Sequence, residues 1–198
     1  MAVSGGRTPW LMLQELAHVN LPWSSVHLFQ VDERVALADD TERNWTHITA
    51  SLLERAPLQP HQLFPMPVTQ TDLPAAARQY GRALQRTAGA PAVFDLVHLG
   101  LGNDGHTASL LPGDAALDVT DTDVALTDPY RGCRRMTLTY PLLNRARRVL
   151  WLVTGIEKAV MVKRLVAGDR SIPAGRVAQH NAWLLLDQGA AGRVSDNA

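Results

Sequence analysis

Residues 100–113, GLGNDGHTASLLPG, place an aspartate and a histidine two positions apart inside a glycine-rich run. A carboxylate beside an imidazole can fix its tautomer and raise its basicity, as a general base requires. Asp104 and His106 would form that pair, with the glycines letting the backbone turn sharply. The plain alternative makes Asp104 the cap of a short helix and His106 an ordinary loop residue. The run also satisfies the dinucleotide pattern G-x-G-x-x-G, and Asp121 lies at about the spacing of a ribose-binding acid. Only six residues separate Gly105 from Pro112, however. That is under two helical turns, too little to present a helix N-terminus to a pyrophosphate. A nicotinamide-dependent enzyme is disfavoured on this ground.

A second glycine loop, SGGRTP, precedes a helical pattern over residues 8–19. Thr8 reads as the cap and Pro9 suits the first turn. The free N–H groups of Ser4, Gly5 and Gly6, the hydroxyls of Ser4 and Thr8 and the helix dipole make a plausible phosphate cradle. A simple strand-to-helix turn explains the same residues. Lys158 falls in the first turn of a helix that starts just after Gly155, where a cation opposes the dipole unless an anion intervenes. Solvation explains it equally. Arg34 closes one strand and Arg135 opens another, and each reads as a surface arginine when taken alone. Nothing local says that these cations converge.

The elements that must hold these loops alternate. Strands are predicted within residues 24–31, 92–102, 124–129, 134–140, 148–155 and 182–190, the first ending on the charged triplet DER. Helices are predicted over 8–19, 41–56 with Thr41 as cap, 75–88, and 156–168. The proline-rich stretch 57–74 reads as an extended connection. The 92–102 strand has almost no polar alternation, as expected when both faces of a parallel sheet are covered. The pattern is that of an α/β protein.

Bulk properties narrow the function classes. At 198 residues the chain suits a single domain with a real core. Lys plus Arg equal Asp plus Glu at 19 each, so no global electrostatic footprint for nucleic acid exists. The single cysteine, Cys133, cannot form an internal disulfide, and no Cys/His set has zinc-ligand spacing. No structural metal is expected. No apolar run suggests a membrane span, and no signal peptide is recognised at the start. The expectation is a cytoplasmic protein, monomeric, with neither nucleic acid nor membrane as partner.

Taken together, SGGRTP, VDERV followed by ERN, FDLVHLGLGNDGHTASLLPG, RRMTLTYPLLNRA, LVTGIEKA and IPAGRVA resemble the family joining 6-phosphogluconolactonases to glucosamine-6-phosphate isomerases (deaminases). The segments run in family order over nearly the whole chain. The resemblance implies an α/β three-layer sandwich with a Rossmann-like, mainly parallel sheet. The two branches differ after the histidine. Isomerases resemble DGHIAFNEP, with a glutamate five residues beyond the histidine that serves ring opening. Leu111 occupies that position here. DGHTASLLP and DER are closer to the lactonase form.

The implied reaction is hydrolysis of 6-phospho-D-glucono-1,5-lactone to 6-phosphogluconate, in the oxidative pentose phosphate route. By resemblance, His106 activates water and Asp104 orients it. Ser4, Gly5, Gly6, Thr8, Arg135 and Lys158 hold the phosphate. Arg34 serves the phosphate or the oxyanion, and Asp32 and Asn44 line the sugar site. The partner is a small phosphosugar lactone, and an activated ester needs no cofactor. The competing expectations are a catalytically weak phosphosugar-binding protein and an amino-sugar phosphate isomerase or deaminase.

Two departures stand out. The family carries an N-terminal helix and a complete first strand before the serine–glycine loop, whereas this chain enters three residues before Ser4. Residues 1–198 would then be one lactonase-like domain lacking that helix, with apolar sheet surface exposed where it packs. Leu37 replaces a common proline, and His98 replaces an apolar strand residue. His98 is expected to be a satisfied core histidine.

Overall fold

The computed structural model of the protein describes residues 1–192, so the polar tail from 193 onward lies outside the described residues. In chain order the strands are β1 (Ala2–Val3), β2 (Leu28–Gln30), β3 (Asp32–Arg34), β4 (Leu63–Phe64), β5 (Val97–Leu99), β6 (Val124–Leu126), β7 (Arg135–Leu138), β8 (Val149–Val153) and β9 (Ala182–Leu186). The α-helices are α1 (Arg7–Leu16), α2 (Asn44–Ile48), α3 (Leu73–Ala88), α4 (Tyr140–Arg145), α5 (Ala159–Val166) and α6 (Gln188–Ala191).

Six strands form one parallel sheet in the order β4-β2-β1-β5-β8-β9. Neighbouring residues of its strands enter different cores. Ala2 and Phe29 belong to a large cluster with residues of α3, α4 and α5, whereas Val3 and Leu28 pack with Leu13 of α1 and Ile48 of α2. A sheet covered on both faces explains the missing polar alternation, and the molecule is the expected α/β sandwich. The chain runs outward from β1 to β4 and then resumes at β5, on the other side of β1. The order therefore reverses between β1 and β5. Ligands of open α/β sheets bind at the carboxyl ends of the strands at such a switch point.

Several local expectations need correction. DER does not extend the preceding strand. After Val31 the chain leaves the parallel sheet, and β3 joins β7 and β6 in a separate antiparallel sheet. The proline-rich connection is also not wholly irregular, since it supplies the edge strand β4. Thr8 does not cap α1. The helix starts at Arg7 after Gly6 at φ +114°, which places Thr8 inside the first turn. Thr41 does not cap α2 either. That helix starts at Asn44, and its first N–H groups are taken by the buried Glu33 carboxylate, at 2.8 Å from the nitrogens of both Asn44 and Trp45. Residues Ile156–Lys158 form a 3-10 turn, so Lys158 immediately precedes α5 rather than lying within it.

On the face of the sheet that carries α1, Trp183 and Leu185 of the edge strand β9 are 60% and 53% exposed. They pair in register with the half-buried Leu150 and Leu152 of β8. They form an exposed apolar strip, with the Arg148 guanidinium 5.7 Å from the Trp183 ring.

His98 sits in β5 and is 1% exposed. Its Nδ1 accepts the Ser4 N–H at 3.3 Å, while its buried Nε2 has no partner among the described residues. The core placement matches the expectation, but only one ring nitrogen is satisfied. Burial lowers the imidazole pKa to about 4 from 6.5. The folded chain thus keeps His98 neutral where the unfolded chain binds a proton. Its contribution to stability is full above about pH 6.5 and declines as pH falls toward 4, by ~1.4 kcal/mol per unit within that window. In urea unfolding at pH 7 and pH 5, His98→Phe should lose less stability than the parent protein. The comparison cancels the carboxylate titrations that both share. Equal losses would place the proton uptake elsewhere.

Candidate active site

The loops after β1 and β5 open side by side into a cavity of about 840 Å³. All the residues that the resemblance assigns to the site border it. Ser4, Gly5, Gly6 and Thr8 come from the first loop and Asp104 and His106 from the second. Asp32 and Arg34 project from β3, Arg135 from β7, Asn44 from the start of α2 and Lys158 from the turn before α5. One chain supplies the whole lining.

In the second loop, His106 Nδ1 lies 2.5 Å from Asp104 Oδ1, and the His106 N–H also reaches that oxygen at 3.1 Å. An ionised carboxylate only accepts, so Nδ1 carries the proton and Nε2 keeps its lone pair. Burial pulls the Asp104 carboxyl upward, but the His106 charge and the His106 hydrogen bonds together outweigh it. The carboxyl ends below its ordinary pKa. Gly102 is required because a Cβ there would overlap the imidazole. At Gly105 φ is +82°, and a Cβ would approach the Ile172 side chain to 2.6 Å.

No helix follows the histidine. The Gly102 N–H binds the His106 carbonyl at 2.8 Å, the Thr107 hydroxyl binds the Gly100 carbonyl at 2.9 Å, and Thr107 pairs with Leu110 in a small antiparallel bridge. The loop satisfies its own backbone and has no use for a helical ladder. Asp104 therefore orients His106 rather than capping a helix. Asp121 lines a different cavity altogether.

In the first loop, Gly5 leaves no room for a side chain, because a Cβ would overlap the Asn44 amide. The Ser4 N–H is spent on His98 and is not free, contrary to the simple cradle. The Thr8 hydroxyl meets that of Thr154 at 2.6 Å. The early N–H groups of α1 remain without intrahelical acceptors, as at any helix start. Across the cavity, burial lowers the Lys158 pKa against the opposing pull of Glu157 and Asp104.

The third wall is a buried polar one. Asp32 is 7% exposed, and burial pushes its carboxyl above the ordinary range, against the Ser109 hydrogen bond and the Arg135 charge. The Asn44 amide donates to the Asp32 carbonyl at 3.0 Å and to its carboxylate at 3.3 Å. Arg34 donates to the Glu42 carbonyl, which anchors it at the rim.

Sequence reasoning missed four contributors. Ser109 and Glu33 sat within quoted motifs, but Ser109 meets Asp32 across 77 residues of sequence, and Glu33 reaches Asn44 and Trp45 only where the chain turns back 11 and 12 residues later. Tyr130 and Arg131 line the cavity from a tight turn in which Arg131 has φ +52°. The Tyr130 ring lies 5.3 Å from the Arg131 guanidinium and 5.5 Å from that of Arg135. The local signals for this turn are the Asp128-Pro129 pair before Tyr130 and Gly132 after Arg131, and neither marks it as part of a site.

By sequence the chain is 39% identical over 193 residues to the 6-phosphogluconolactonase of Synechocystis, covering 96% of this chain and 78% of that protein. It is 38% identical over 196 residues to the human GDH/6PGL endoplasmic bifunctional protein, covering 93% of this chain but spanning only 25% of that relative. The solved 6-phosphogluconolactonase of Thermotoga maritima superposes with a TM-score of 0.84 at 30% identity, over 94% of this chain and 84% of that one. A monomeric glucosamine-6-phosphate deaminase gives a TM-score of 0.82 at 21% identity, a likeness of fold alone. Residues 1–186 match the description "Glucosamine-6-phosphate isomerases/6-phosphogluconolactonase", and with the two glycine loops facing one cavity at the switch point of this sheet, the chain belongs to that family.

Proposed function

We propose that this chain hydrolyses 6-phospho-D-glucono-1,5-lactone to 6-phospho-D-gluconate in the oxidative pentose phosphate pathway. The observation that carries the reading is the Asp104–His106 pair, whose geometry leaves Nε2 as the base at the cavity. His106 takes a proton from water as the water oxygen attacks the lactone carbonyl. The tetrahedral oxyanion then collapses with cleavage of the bond to the ring oxygen. The imidazolium returns its proton to that oxygen, and the new carboxylic acid ionises. Asp104 holds the tautomer and stabilises the imidazolium. No step calls for a metal or cofactor.

Ser4, Gly5, Gly6 and Thr8, with Arg135 and Lys158, are assigned to the phosphate. Asp32 and Asn44 are assigned to the sugar hydroxyls, and Arg34 to the phosphate or the oxyanion. The isomerase reading is disfavoured because Leu111 is buried, does not line the cavity and cannot transfer a proton. Residues 1–198 are taken as one lactonase-like unit, and a monomer suffices because one chain builds the cavity. A lone cysteine suits the reducing cytoplasm.

The test is the decay of freshly generated lactone with and without protein, against its spontaneous hydrolysis. Acceleration is expected. A folded sample that binds 6-phosphogluconate but does not accelerate decay would instead identify a binding protein. Lys158→Ala should raise KM by ~10–100-fold, the worth of one charge-assisted contact, with a smaller change in kcat. An unchanged KM would remove Lys158 from the phosphate site.

A further inference from the structure

We propose that Ser109 is a positioning residue of this site: its hydroxyl stands between the Asp32 carboxylate and the Arg135 guanidinium, keeps the two ions from pairing, and so leaves Arg135 directed at an anionic group of the ligand. The identity of that ligand rests on the lactonase reading above. The geometry does not.

Asp32 and Arg34 of β3 lie opposite Thr137 and Arg135 of β7. Asp32 and Arg135 are therefore diagonal neighbours on one face of an antiparallel pair, close enough for a long side chain to bridge. An arginine and a carboxylate so placed would form a bidentate ion pair if left alone. They do not, because Ser109 is inserted between them from the loop after β5. Ser109 is fully buried. Its hydroxyl donates to Asp32 Oδ2 at 2.6 Å and accepts from Arg135 Nη1 at 3.4 Å. Its N–H donates to Thr137 Oγ1 at 3.2 Å, which fixes the backbone to the same sheet.

One hydroxyl thus gives Asp32 Oδ2 its hydrogen bond, beside the 3.3 Å bond from the Asn44 amide to Oδ1, and occupies one arginine nitrogen at long range. Arg135 lines the cavity, and its Nη2 makes no hydrogen bond among the described residues. Arg135 consequently keeps donors to offer. Without the hydroxyl, Asp32 Oδ2 loses its shortest hydrogen bond, and the Arg135 guanidinium, which already reaches that hydroxyl, is free to take its place. Pairing would turn that cation into the wall.

Inorganic phosphate is the probe, with affinity read by isothermal titration calorimetry. Ser109→Ala should weaken phosphate binding about tenfold, in the range of one charged hydrogen bond, and in the lactonase assay should raise KM more than it lowers kcat. Adding Asp32→Asn should restore most of the affinity, because the competing charge is gone. In an Arg135→Ala background, Ser109→Ala should change the affinity less than twofold, as expected for residues acting through one contact. A purely structural role predicts no rescue by Asp32→Asn and the same loss in either background, and that result would overturn the proposal. So would an unchanged phosphate affinity in Ser109→Ala. If Ser109→Ala does not fold, Ser109→Cys is close in shape with only a weak S–H donor, and it carries the same cycle and the same expectations. Failure of the parent protein to accelerate lactone decay would defeat the lactonase reading, yet leave the phosphate cycle intact.

Discussion

His106→Ala should lower kcat/KM for the lactone by roughly 10²–10⁴-fold, the usual worth of a positioned general base, while affinity for 6-phosphogluconate changes little. Alanine removes the proton acceptor but none of the anion-binding groups, which lie on other loops and strands. The loss should therefore fall on kcat. Asp104→Asn should follow it in direction with a smaller loss. An amide cannot stabilise the imidazolium as a carboxylate does, and it can present a donor to Nδ1 and so reverse the tautomer. The 2.5 Å contact between Asp104 and His106 is removed in the first variant and loses its charge in the second. The check is lactone decay at near-neutral pH, corrected for the spontaneous rate, alongside calorimetry with 6-phosphogluconate. Normal turnover by His106→Ala would sink the assignment of the base. A variant that lost both turnover and product affinity would point to a collapsed loop rather than a missing base.

Glu33→Ala should cost about 3–5 kcal/mol of folding stability, the range for breaking a buried, paired charge. Glu33 is fully buried. Its carboxylate accepts from the backbone N–H groups of Arg34, Asn44 and Trp45 at 2.8 Å each and from the Gln30 amide at 2.9 Å. Arg43 Nε stands 3.5 Å away, itself buried and with no hydrogen-bond partner among the described residues. Alanine would leave all these donors unsatisfied in the interior, and an unmade buried hydrogen bond costs more than a made one contributes. The α2 N-terminus would lose its only capping carboxylate among the described residues. Because Arg34 and Asn44 border the cavity, catalysis should fall as well. Urea unfolding measures the first effect, and a loss below about 1 kcal/mol would show that water or a rearranged backbone replaces the carboxylate.

The chemistry of this protein was legible in local sequence where local physics sets it. GLGNDGH needs Gly102 because a side chain there would meet the imidazole four residues on, and Gly105 because the turn gives it φ +82°. The nearly continuous apolar run around Val97–Leu99 encodes a strand covered on both faces. The spacing of Ala76, Ala77, Tyr80 and Leu84 encodes the buried stripe of α3. The proximity of Asp104 to His106 follows from their being two residues apart.

What the tertiary structure decided is everything that joins distant segments. Arg34, Arg135 and Lys158 each read as a surface cation alone, and only the reversal of strand order between β1 and β5, with the second sheet folded over it, brings them to one cavity. DER reads as the end of one strand, yet its register with β7 makes Asp32 a wall of the site and Glu33 the cap of α2. The contact between Ser109 and Asp32 spans 77 residues of sequence. Periodicity and turn chemistry report on neighbours along the chain. Hydrogen bonds across such a separation exist only once the sheets have formed, and it is those bonds that turn separate residues into one arrangement able to bind and react.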